Sequence, residues 1–496
     1  MPIDRPLHGL PVTPRAALRG AWRAALCAAL CGAGFAVPAT AQTAPPTAIL
    51  GRTDRLPPDI DAALARGQVP REAFVALVQE VGRPVDRLAW QADRPFNPAS
   101  LQKLLTTSAA FDLLGPAWAW TTPVWLDGEV VDGVLRGALV IKGTGDPQLV
   151  IERLWLLLRR VQQLGVREIQ GDIVLDRSAF TLPPHDPAAF DGERFRPYNV
   201  GPDALMVNYK SVAYTFTPLP DRGVARIAPD VPLAGVRTDT TVPLLKGPCD
   251  DWRGDLRADF ADPLHVRFTG GYPLACGERV WPVAYADPAA YNGRAIAGLW
   301  REMGGRLGGQ VRDGLAPARA PSFELTSAPL ADVVRSINKF SNNVMAQQLF
   351  LTLAAVQRGT GSPQVAREVV GQWLAERVAD TRGAVIDNGS GLSRDTRLTA
   401  QQLGRVLQAA WAGPSMSELM SSLPVSGVDG TMRRTRNAST GRAHLKTGSL
   451  DGVSGIAGYV LGQSGRRYVV VGLIRHPNAG AARPALEALV QWAATD

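Results

Sequence analysis

Near the N-terminus, the hydrophobic pattern changes from strand-like to helix-like within forty residues. Residues 74–81 and 88–91 are strongly apolar runs on either side of Gly82-Arg83-Pro84, which predicts a hairpin of two strands. The stretch LQKLLTTSAAFDLL at 101–114 then places apolar residues at helical spacing, with a proline near its start and a glycine after its end. The pattern therefore predicts a helix whose first turn contains Ser100.

From about residue 123 to residue 320 the pattern is different and richer in strands. It predicts a hairpin turning at 132–133, a helix over 150–164 and a strand at 172–176. Residues 205–286 consist of short strand-like runs broken by proline and glycine. We expect this block to be built separately from the parts of the chain that flank it.

A helical pattern returns at about residue 321, and the last part of the chain resembles a β-meander. Strands are predicted at 444–448, 453–461 and 467–475, followed by a final helix over 480–494. The simplest arrangement is an α/β domain built from both ends of the chain, with accessory domains inserted between them.

The first 41 residues have the pattern of a secretory signal peptide. They combine four arginines, a short apolar run over 24–37 and the cleavage-type sequence Ala39-Thr40-Ala41. An apolar run of about 14 residues is too short to cross a bilayer, where about 20 are needed. We predict an exported mature chain with no transmembrane span, and a retained anchor is the alternative.

Charge argues against a nucleic-acid partner. The net charge of +8 falls to +5 without residues 1–41, and no run of lysine or arginine remains. Only six of the 53 basic residues are lysines. Arginine keeps its proton in proteins, so a step that needs a neutral amine requires lysine.

Two cysteines, Cys249 and Cys276, remain after the predicted leader. An even pair in an exported protein predicts a disulfide, and two buried free thiols are the alternative. The five histidines are scattered along the sequence, so neither a metal site nor a cofactor is expected.

Three short motifs carry candidate chemistry for acyl transfer by a serine whose base is a lysine. Each alone is weak; Ser336 and Lys339, for example, also have Ser-x-x-Lys spacing and are interpreted as a chance match. Their order along the chain is the informative feature. The motifs are Ser100-Leu101-Gln102-Lys103, Ser341-Asn342-Asn343 and Lys446-Thr447-Gly448.

The chain resembles the D-alanyl-D-alanine carboxypeptidase/endopeptidases, the class C low-molecular-mass penicillin-binding proteins. The resemblance covers nearly the whole mature chain. It is carried by PASLQK (98–103), KGTGDPQL (142–149), NGSGLSR (388–394), LPVSGVDGT (423–431) and LKTGSLDGVSGIAGYV (445–460).

The resemblance implies an α+β fold. A β-lactamase/transpeptidase-like catalytic domain, an antiparallel sheet flanked by helices, would carry two nested accessory domains rich in β-structure. The catalytic domain would comprise 42–122 and 321–496. The first insertion would comprise 123–204 and 287–320, with 205–286 nested inside it.

The resemblance also implies a role for each motif residue. Ser100 would be the nucleophile, Lys103 its base, and Ser341 a proton relay to the leaving amine. Asn343 would hold the substrate backbone and Lys103, while Lys446 and Thr447 would bind the terminal carboxylate. Gly448 would allow close approach, Ser449 would complete an oxyanion hole with the Ser100 amide, and Arg394 and Asp176 would hold the peptide side chain.

One position departs from the family pattern, because residue 342 is asparagine where many relatives carry aspartate. The expected activity is that of a periplasmic serine DD-peptidase acting on peptidoglycan stem peptides, with β-lactams as inhibitors. A β-lactamase or related esterase on the same fold is one alternative, and a non-catalytic cell-wall scaffold is another. The sequence leaves open the oligomeric state and the balance between carboxypeptidase and endopeptidase activity.

Overall fold

The computed structural model describes residues 55–83, 85–435 and 437–496. The predicted signal peptide at 1–41 lies outside these ranges. Within them, no helix combines the length and the apolar character needed to span a bilayer.

Strands and helices are numbered here in chain order. The strands are β1 (Phe74–Glu80), β2 (Asp86–Trp90), β3 (Thr121–Val131), β4 (Val134–Lys142), β5 (Glu168–Ile169), β6 (Ile173–Asp176), β7 (Ser211–Leu219), β8 (Val224–Pro229), β9 (Arg237–Thr238), β10 (Thr241–Leu245), β11 (Ala258–Asp259), β12 (His265–Phe268), β13 (Tyr272–Pro273), β14 (Arg279–Ala284), β15 (Arg306–Leu307), β16 (Val311–Asp313), β17 (Phe323–Thr326), β18 (Ala443–Leu450), β19 (Val453–Leu461) and β20 (Arg467–Arg475). The α-helices are α1 (Pro58–Arg66), α2 (Gln102–Leu114), α3 (Ile151–Gln163), α4 (Trp252–Asp255), α5 (Tyr291–Glu302), α6 (Leu330–Phe340), α7 (Asn343–Arg358), α8 (Pro363–Arg377), α9 (Ala400–Ala412), α10 (Met416–Ser422) and α11 (Arg483–Ala494).

Both ends of the chain contribute to one antiparallel sheet, with strand order β18-β19-β20-β1-β2. Its strands are apolar at consecutive positions because the sheet is buried on both faces. Along β1, Val75 and Leu77 join the core that contains α2 and α6 to α9, whereas Ala76 and Val78 join the core that contains α1 and α11. Strand β18 lies at one edge.

The middle of the chain forms other sheets. Strands β3 and β4 make a hairpin that turns at Asp132 and Gly133, where both φ angles are positive, as the sequence predicted. Strands β7, β8, β10, β13 and β14 form a sheet within 205–286. The domain boundaries stay predictions. The boundary placed after residue 320 differs from the strand pairing, because β17 (Phe323–Thr326) pairs with β3 of the inserted block.

In the nested region, Cys249 and Cys276 form a disulfide, with their Cα atoms 4.9 Å apart. Cys276 is buried beside Tyr272 in the core of this region, and the Trp252 and Tyr272 rings pack edge to face. The bond therefore ties together loops that have little regular structure.

The segment at 142–149 connects the inserted block to α7. Gln348 of α7 donates to the Gly145 carbonyl oxygen, and a Cβ on Gly145 would lie 2.4 Å from the Phe180 ring. The neighbouring Asp146 is buried and accepts a hydrogen bond from the Gln148 amide. Burial, which exceeds the effect of that hydrogen bond, raises the pKa of Asp146 to about 6.

Asp146 should make folding less favourable above pH 6. A carboxyl group whose pKa is raised by folding stabilises most below its unfolded pKa, and this contribution is lost as the pH rises through the folded value. We expect Asp146→Asn, which keeps the acceptor oxygen, to raise the free energy of unfolding at pH 8 by about 2–3 kcal/mol. Thermal unfolding midpoints at pH 4 and pH 8 measure this, and an equal effect at both values would contradict it.

Asp176 provides a control of opposite sign. Burial alone would raise the pKa of this carboxyl, but hydrogen bonds from Ser178 and Ala316 and the charge of Lys142 lower it. Its contribution is therefore present above the unfolded pKa and lost as the pH falls. We expect Asp176→Asn to lower the unfolding midpoint at pH 8.

Candidate active site

The backbone just before α2 is held in an unusual conformation at Ser100. Ala99, Ser100 and Leu101 form a 3₁₀ turn, and the φ angle of Ala99 is +47°. The Asn97 side chain accepts a hydrogen bond from the Ala99 amide at 2.9 Å and so holds this turn. Such a conformation costs about 1–3 kcal/mol and persists only where surrounding contacts impose it.

Lys103, one helical turn after Ser100, is completely buried. Its Nζ atom lies 3.0 Å from Ser100 Oγ, 2.7 Å from Asn343 Oδ1 and 2.6 Å from the Ser390 carbonyl oxygen. Among the described residues, no carboxylate lies within ion-pair distance of it. Burial, with a further contribution from the charge of Lys446, lowers the pKa of Lys103 well below its usual range.

Lys446 of β18 is the second completely buried lysine. Its Nζ atom donates to Ser341 Oγ at 2.9 Å and to the Thr447 carbonyl oxygen at 2.6 Å. Burial lowers its pKa to about 7. Ser341 lies between α6 and α7 in the left-handed conformation, with φ +57°, which directs the chain sharply from one helix into the next.

The Ser-Asn-Asn motif begins α7. Asn342 is the N-cap residue, and its side chain accepts a hydrogen bond from the Met345 amide. Asparagine and aspartate serve about equally well in this position, which explains why the departure from the family pattern is tolerated. Asn343, the first residue of the helix, is the one that contacts Lys103.

The second Ser-x-x-Lys pair has a different environment. Lys339 Nζ donates to Asp429 Oδ2 and to the Leu423 carbonyl oxygen, both at 2.6 Å. Ser336 Oγ accepts a hydrogen bond from Gln148 at 3.2 Å. Lys339 therefore has a carboxylate partner and holds the segment at 423–429, in contrast to Lys103.

The NGSGLSR segment at 388–394 supports the helix that carries the nucleophile. Besides Ser390, which accepts from Lys103, the Gly389 carbonyl oxygen accepts from Thr106 Oγ1 at 2.7 Å. A Cβ on Gly391, where φ is +79°, would lie 1.9 Å from the Ala99 carbonyl oxygen. Sequence reasoning had given a role only to Arg394 in this segment, because backbone contacts leave no signal in residue type.

The outer edge of β18 is covered along only part of its length. The Leu445 amide donates to the Pro424 carbonyl oxygen and the Ser426 amide donates to Ala443. From Thr447 onward, no strand pairs with this edge in the part of the chain that the structure describes. Amides two residues apart point to the same side of a strand, so the Ser449 amide faces the open edge as the Leu445 amide does.

Gly448 brings this open edge against the nucleophile. A Cβ on Gly448 would lie 2.8 Å from the Pro98 carbonyl oxygen and 3.2 Å from the Ser100 amide nitrogen. The adjacent Thr447 Oγ1 donates to Thr431 Oγ1 at 2.8 Å. The structure thus brings together the residues of all three motifs around Ser100.

The two residues predicted to hold a peptide side chain have different surroundings. Arg394 is exposed, and its guanidinium lies 4.7 Å from the centre of the Phe190 ring of the inserted block. Arg394 also lines a cavity of about 420 Å³, together with Asn97. Phe190 was missed by sequence reasoning. The carboxylate of Asp176 is buried and is used by Ser178 and Ala316, so its substrate-binding role stays a prediction.

Gly391 gives a test of how the segment positions Ser100. Gly391→Ala should destabilise the protein by roughly 1–3 kcal/mol, because it adds a Cβ at a positive φ and against Ala99. It should also slow acylation of Ser100 by a fluorescent penicillin, measured on the fraction that stays folded at low temperature. Normal acylation by folded Gly391→Ala would show that the segment does not position Ser100.

Gly371, in the middle of α8, is a matched control because a Cβ there would meet no atom within 4 Å. Alanine is favoured over glycine in helices by about 1 kcal/mol. Gly371→Ala should therefore stabilise the protein slightly and leave the acylation rate unchanged.

Comparison with known families finds a match over nearly all of the described chain. A model described as the D-Ala-D-Ala carboxypeptidase 3 (S13) family matches residues 56–496. The chain is 27% identical to a D-alanyl-D-alanine carboxypeptidase of Actinomadura sp. (strain R39), over 84% of this chain and 80% of the relative. It is 25% identical to the D-alanyl-D-alanine carboxypeptidase DacB of Haemophilus influenzae, over 77% of this chain and 81% of the relative.

Among solved structures, the chain is similar to penicillin binding protein 4 (dacB) from Haemophilus influenzae. The TM-score is 0.70 at 22% identity, over 87% of this chain and 99% of that one. The same protein complexed with a β-lactam gives a TM-score of 0.67 at 21% identity. This likeness confirms the predicted fold class, a transpeptidase-like α+β catalytic fold with additional β-structure.

Proposed function

The chain belongs to the D-Ala-D-Ala carboxypeptidase 3 (S13) family, and from this premise we propose that Ser100 is its nucleophile and Lys103 the base that activates it. The protein is a serine-type D-Ala-D-Ala carboxypeptidase. The observation that carries the assignment is the 3.0 Å contact between Ser100 Oγ and a buried lysine that has no acidic partner among the described residues. A neutral amine can accept the serine proton, as a general base must.

In the proposed acylation step, Ser100 Oγ attacks the carbonyl carbon of the penultimate D-alanine as its proton passes to Lys103. The amides of Ser100 and Ser449 stabilise the negative oxygen that develops on that carbon. Such donors contribute typically about 3–4 kcal/mol each to transition-state stabilisation. Asn343 keeps Lys103 in place through the 2.7 Å contact.

Departure of the terminal residue requires a proton for its amine and a site for its carboxylate. Ser341, hydrogen-bonded to Lys446 at 2.9 Å, is positioned to relay that proton. Lys446, when charged, and the Thr447 hydroxyl attract the carboxylate. Water then releases the acyl group, with Lys103 and Ser341 again moving the protons.

We propose that the substrates are peptidoglycan stem peptides, which the exported protein would bind in the periplasm. Arg394, which lines the cavity of about 420 Å³, and Phe190, whose ring lies 4.7 Å from the Arg394 guanidinium, would form a surface for the side chain of the stem peptide. β-Lactams react at the same serine, because they present a strained amide and a carboxylate to the same groups.

Replacement of the nucleophile gives the direct test. Wild-type protein should form a stable adduct with fluorescent penicillin and release D-alanine from a D-Ala-D-Ala peptide. Ser100→Ala, a change that removes one atom, should do neither while keeping the same unfolding midpoint.

Other outcomes distinguish the alternatives. Labelling of both proteins would show that Ser100 is not the nucleophile. Rapid hydrolysis of penicillin would indicate a β-lactamase, and folded wild-type protein that neither labels nor releases D-alanine would indicate a scaffold with an inactive site.

The pKa of Lys446 predicts a pH dependence of substrate binding. Lys446 is cationic below pH 7 and neutral above it, so its attraction for a carboxylate is present below that pH and lost above it. We expect KM for a D-Ala-D-Ala peptide to be constant below pH 7 and to rise above it. Steady-state kinetics between pH 5.5 and 9 measure this.

Lys446→Arg is the matched variant, because arginine keeps its charge across this range. The rise in KM should disappear in the variant, whatever its kcat. A rise of equal size in both proteins would contradict the assignment of Lys446 to the carboxylate.

A further inference from the structure

Helix α7, which begins with Asn343, packs against the inserted block along one face. At its first turn Val344 joins a small apolar cluster of the inserted block, and two turns later Leu351 joins a second one. The partners are Val200, Met206 and Ala284 for Val344, and Phe180 and Ala204 for Leu351. Ala346 and Leu349 of the same helix belong to the core that contains α2. The helix therefore lies between the catalytic core and the inserted block.

Gln348 lies between the two apolar clusters and is completely buried. Its Oε1 atom accepts a hydrogen bond from the Asp203 amide at 2.9 Å, and its Nε2 atom donates to the Asp203 carbonyl oxygen at 2.7 Å. The Nε2 atom also donates to the Gly145 carbonyl oxygen at 3.3 Å. One side-chain amide thus satisfies both backbone groups of Asp203, which fixes the distance and the orientation of α7 relative to the inserted block.

The carboxylate of Asp203 is itself buried and held by two cations of the inserted block. Arg177 contacts its two oxygens at 2.9 and 2.5 Å, and Lys210 contacts one of them at 2.6 Å. The Leu205 amide donates to the same carboxylate at 3.0 Å. Charged hydrogen bonds are the strong ones, so the backbone that Gln348 binds is held firmly in place.

Lys210 belongs to a turn with an unusual backbone. The φ angles of Asn208, Tyr209 and Lys210 are all positive, at 41°, 54° and 46°. Left-handed backbone is unfavourable for residues with a side chain and persists only where the surrounding contacts impose it. The turn brings the Tyr209 hydroxyl to 3.7 Å from the Sδ atom of Met345, in the first turn of α7. It therefore contacts both Asp203 and the end of α7 that carries Asn343.

A displacement of α7 would reach the catalytic lysine through Asn343. Asn343 precedes Gln348 by five residues, which is about 7.5 Å along a helix axis. Its Oδ1 atom lies 2.7 Å from Lys103 Nζ. A shift of about 1 Å at this end of the helix would lengthen that contact beyond hydrogen-bonding distance.

We propose that Gln348 and Asp203 are positioning residues, which set the place of α7 from the inserted block and thereby hold Asn343 against the base Lys103. The segment at 142–149 gains a role in the same way, because the Gly145 amide donates to the Ala204 carbonyl oxygen at 2.7 Å beside Asp203. The inserted block then contributes to the alignment of the base. This inference rests on the proposed function, in which Lys103 takes the serine proton.

Gln348→Met tests the proposal, because methionine has a similar size and helix preference but lacks the amide. Folded Gln348→Met should be acylated by fluorescent penicillin roughly 3- to 30-fold more slowly than the wild-type protein. In an Asn343→Ala background, where no side chain is left to position, the same change should slow acylation by less than about twofold. Labelling is followed to completion as a single reaction, so slow rates remain measurable.

The dependence on Asn343 separates positioning from a general effect on structure. Gln348 and Asn343 share no hydrogen-bond partner within the described ranges, and changes at independent sites normally multiply in their effects on a rate. Equal slowing by Gln348→Met in both backgrounds would overturn the proposal, and so would an unchanged rate in folded Gln348→Met. Gln348→Asn, which keeps an amide on a shorter side chain, is the milder variant to which the same two comparisons apply.

Val266→Ala is the control for lost stability. Val266 lies on β12 and is buried in the core of the inserted block. The change should lower the unfolding midpoint by removing packed atoms and leave the acylation rate at the wild-type value. Slowing of acylation in Val266→Ala to the same extent as in Gln348→Met would show that lost stability explains both, and would overturn the proposal.

Labelling of the wild-type protein separates the two levels of inference. If Ser100 is not labelled, the proposed function fails and the positioning role fails with it. If Ser100 is labelled but the effect of Gln348→Met does not depend on Asn343, only the positioning role is wrong.

Discussion

The site depends on the burial of two lysines, Lys103 and Lys446, for which the described part of the chain supplies no carboxylate partner. Removing an ammonium ion from water is so costly that a buried lysine without a counter-ion tends to lose its proton. The protein supplies Lys103 with oxygen acceptors from Asn343 and Ser390, which hold the amine without adding negative charge. Lys339, near the C-terminal end of α6, pairs with Asp429 instead. The chemical difference between these lysines therefore comes from their partners.

This constraint also explains why the chain is organised as it is. A buried amine needs neighbours that are held rigidly in place. Here these neighbours come from segments that are far apart in the sequence: α2, the start of α7, the 388–394 segment and β18. The sheet formed from both ends of the chain brings β18 against the 3₁₀ turn at 99–101 that precedes α2. The inserted block can then extend from one side, through β3 and β17, without interrupting the contacts around Lys103.

Much of this arrangement could be predicted from the sequence, and the exceptions have physical reasons. The apolar pattern with its flanking proline and glycine predicted the helix at 102–114, the turn residues predicted the hairpin at 132–133, and strand-like runs predicted the C-terminal meander, because local sequence determines all three. The supporting roles of Ser390 and Gly391 could not be predicted, since one acts through a backbone carbonyl and the other by the absence of a side chain. Phe190 was missed because only the tertiary packing of the inserted block brings its ring to Arg394.

The partial covering of β18 has a consequence for the behaviour of the protein in a crowded compartment. A long exposed strand edge invites pairing with other chains and so promotes aggregation. Here the segment held by Lys339 and Asp429 closes the edge over Ala443–Leu445, so only a short stretch beyond it can accept an extended peptide. The open part of this edge is therefore short, which limits the backbone pairing that β18 can make with other chains.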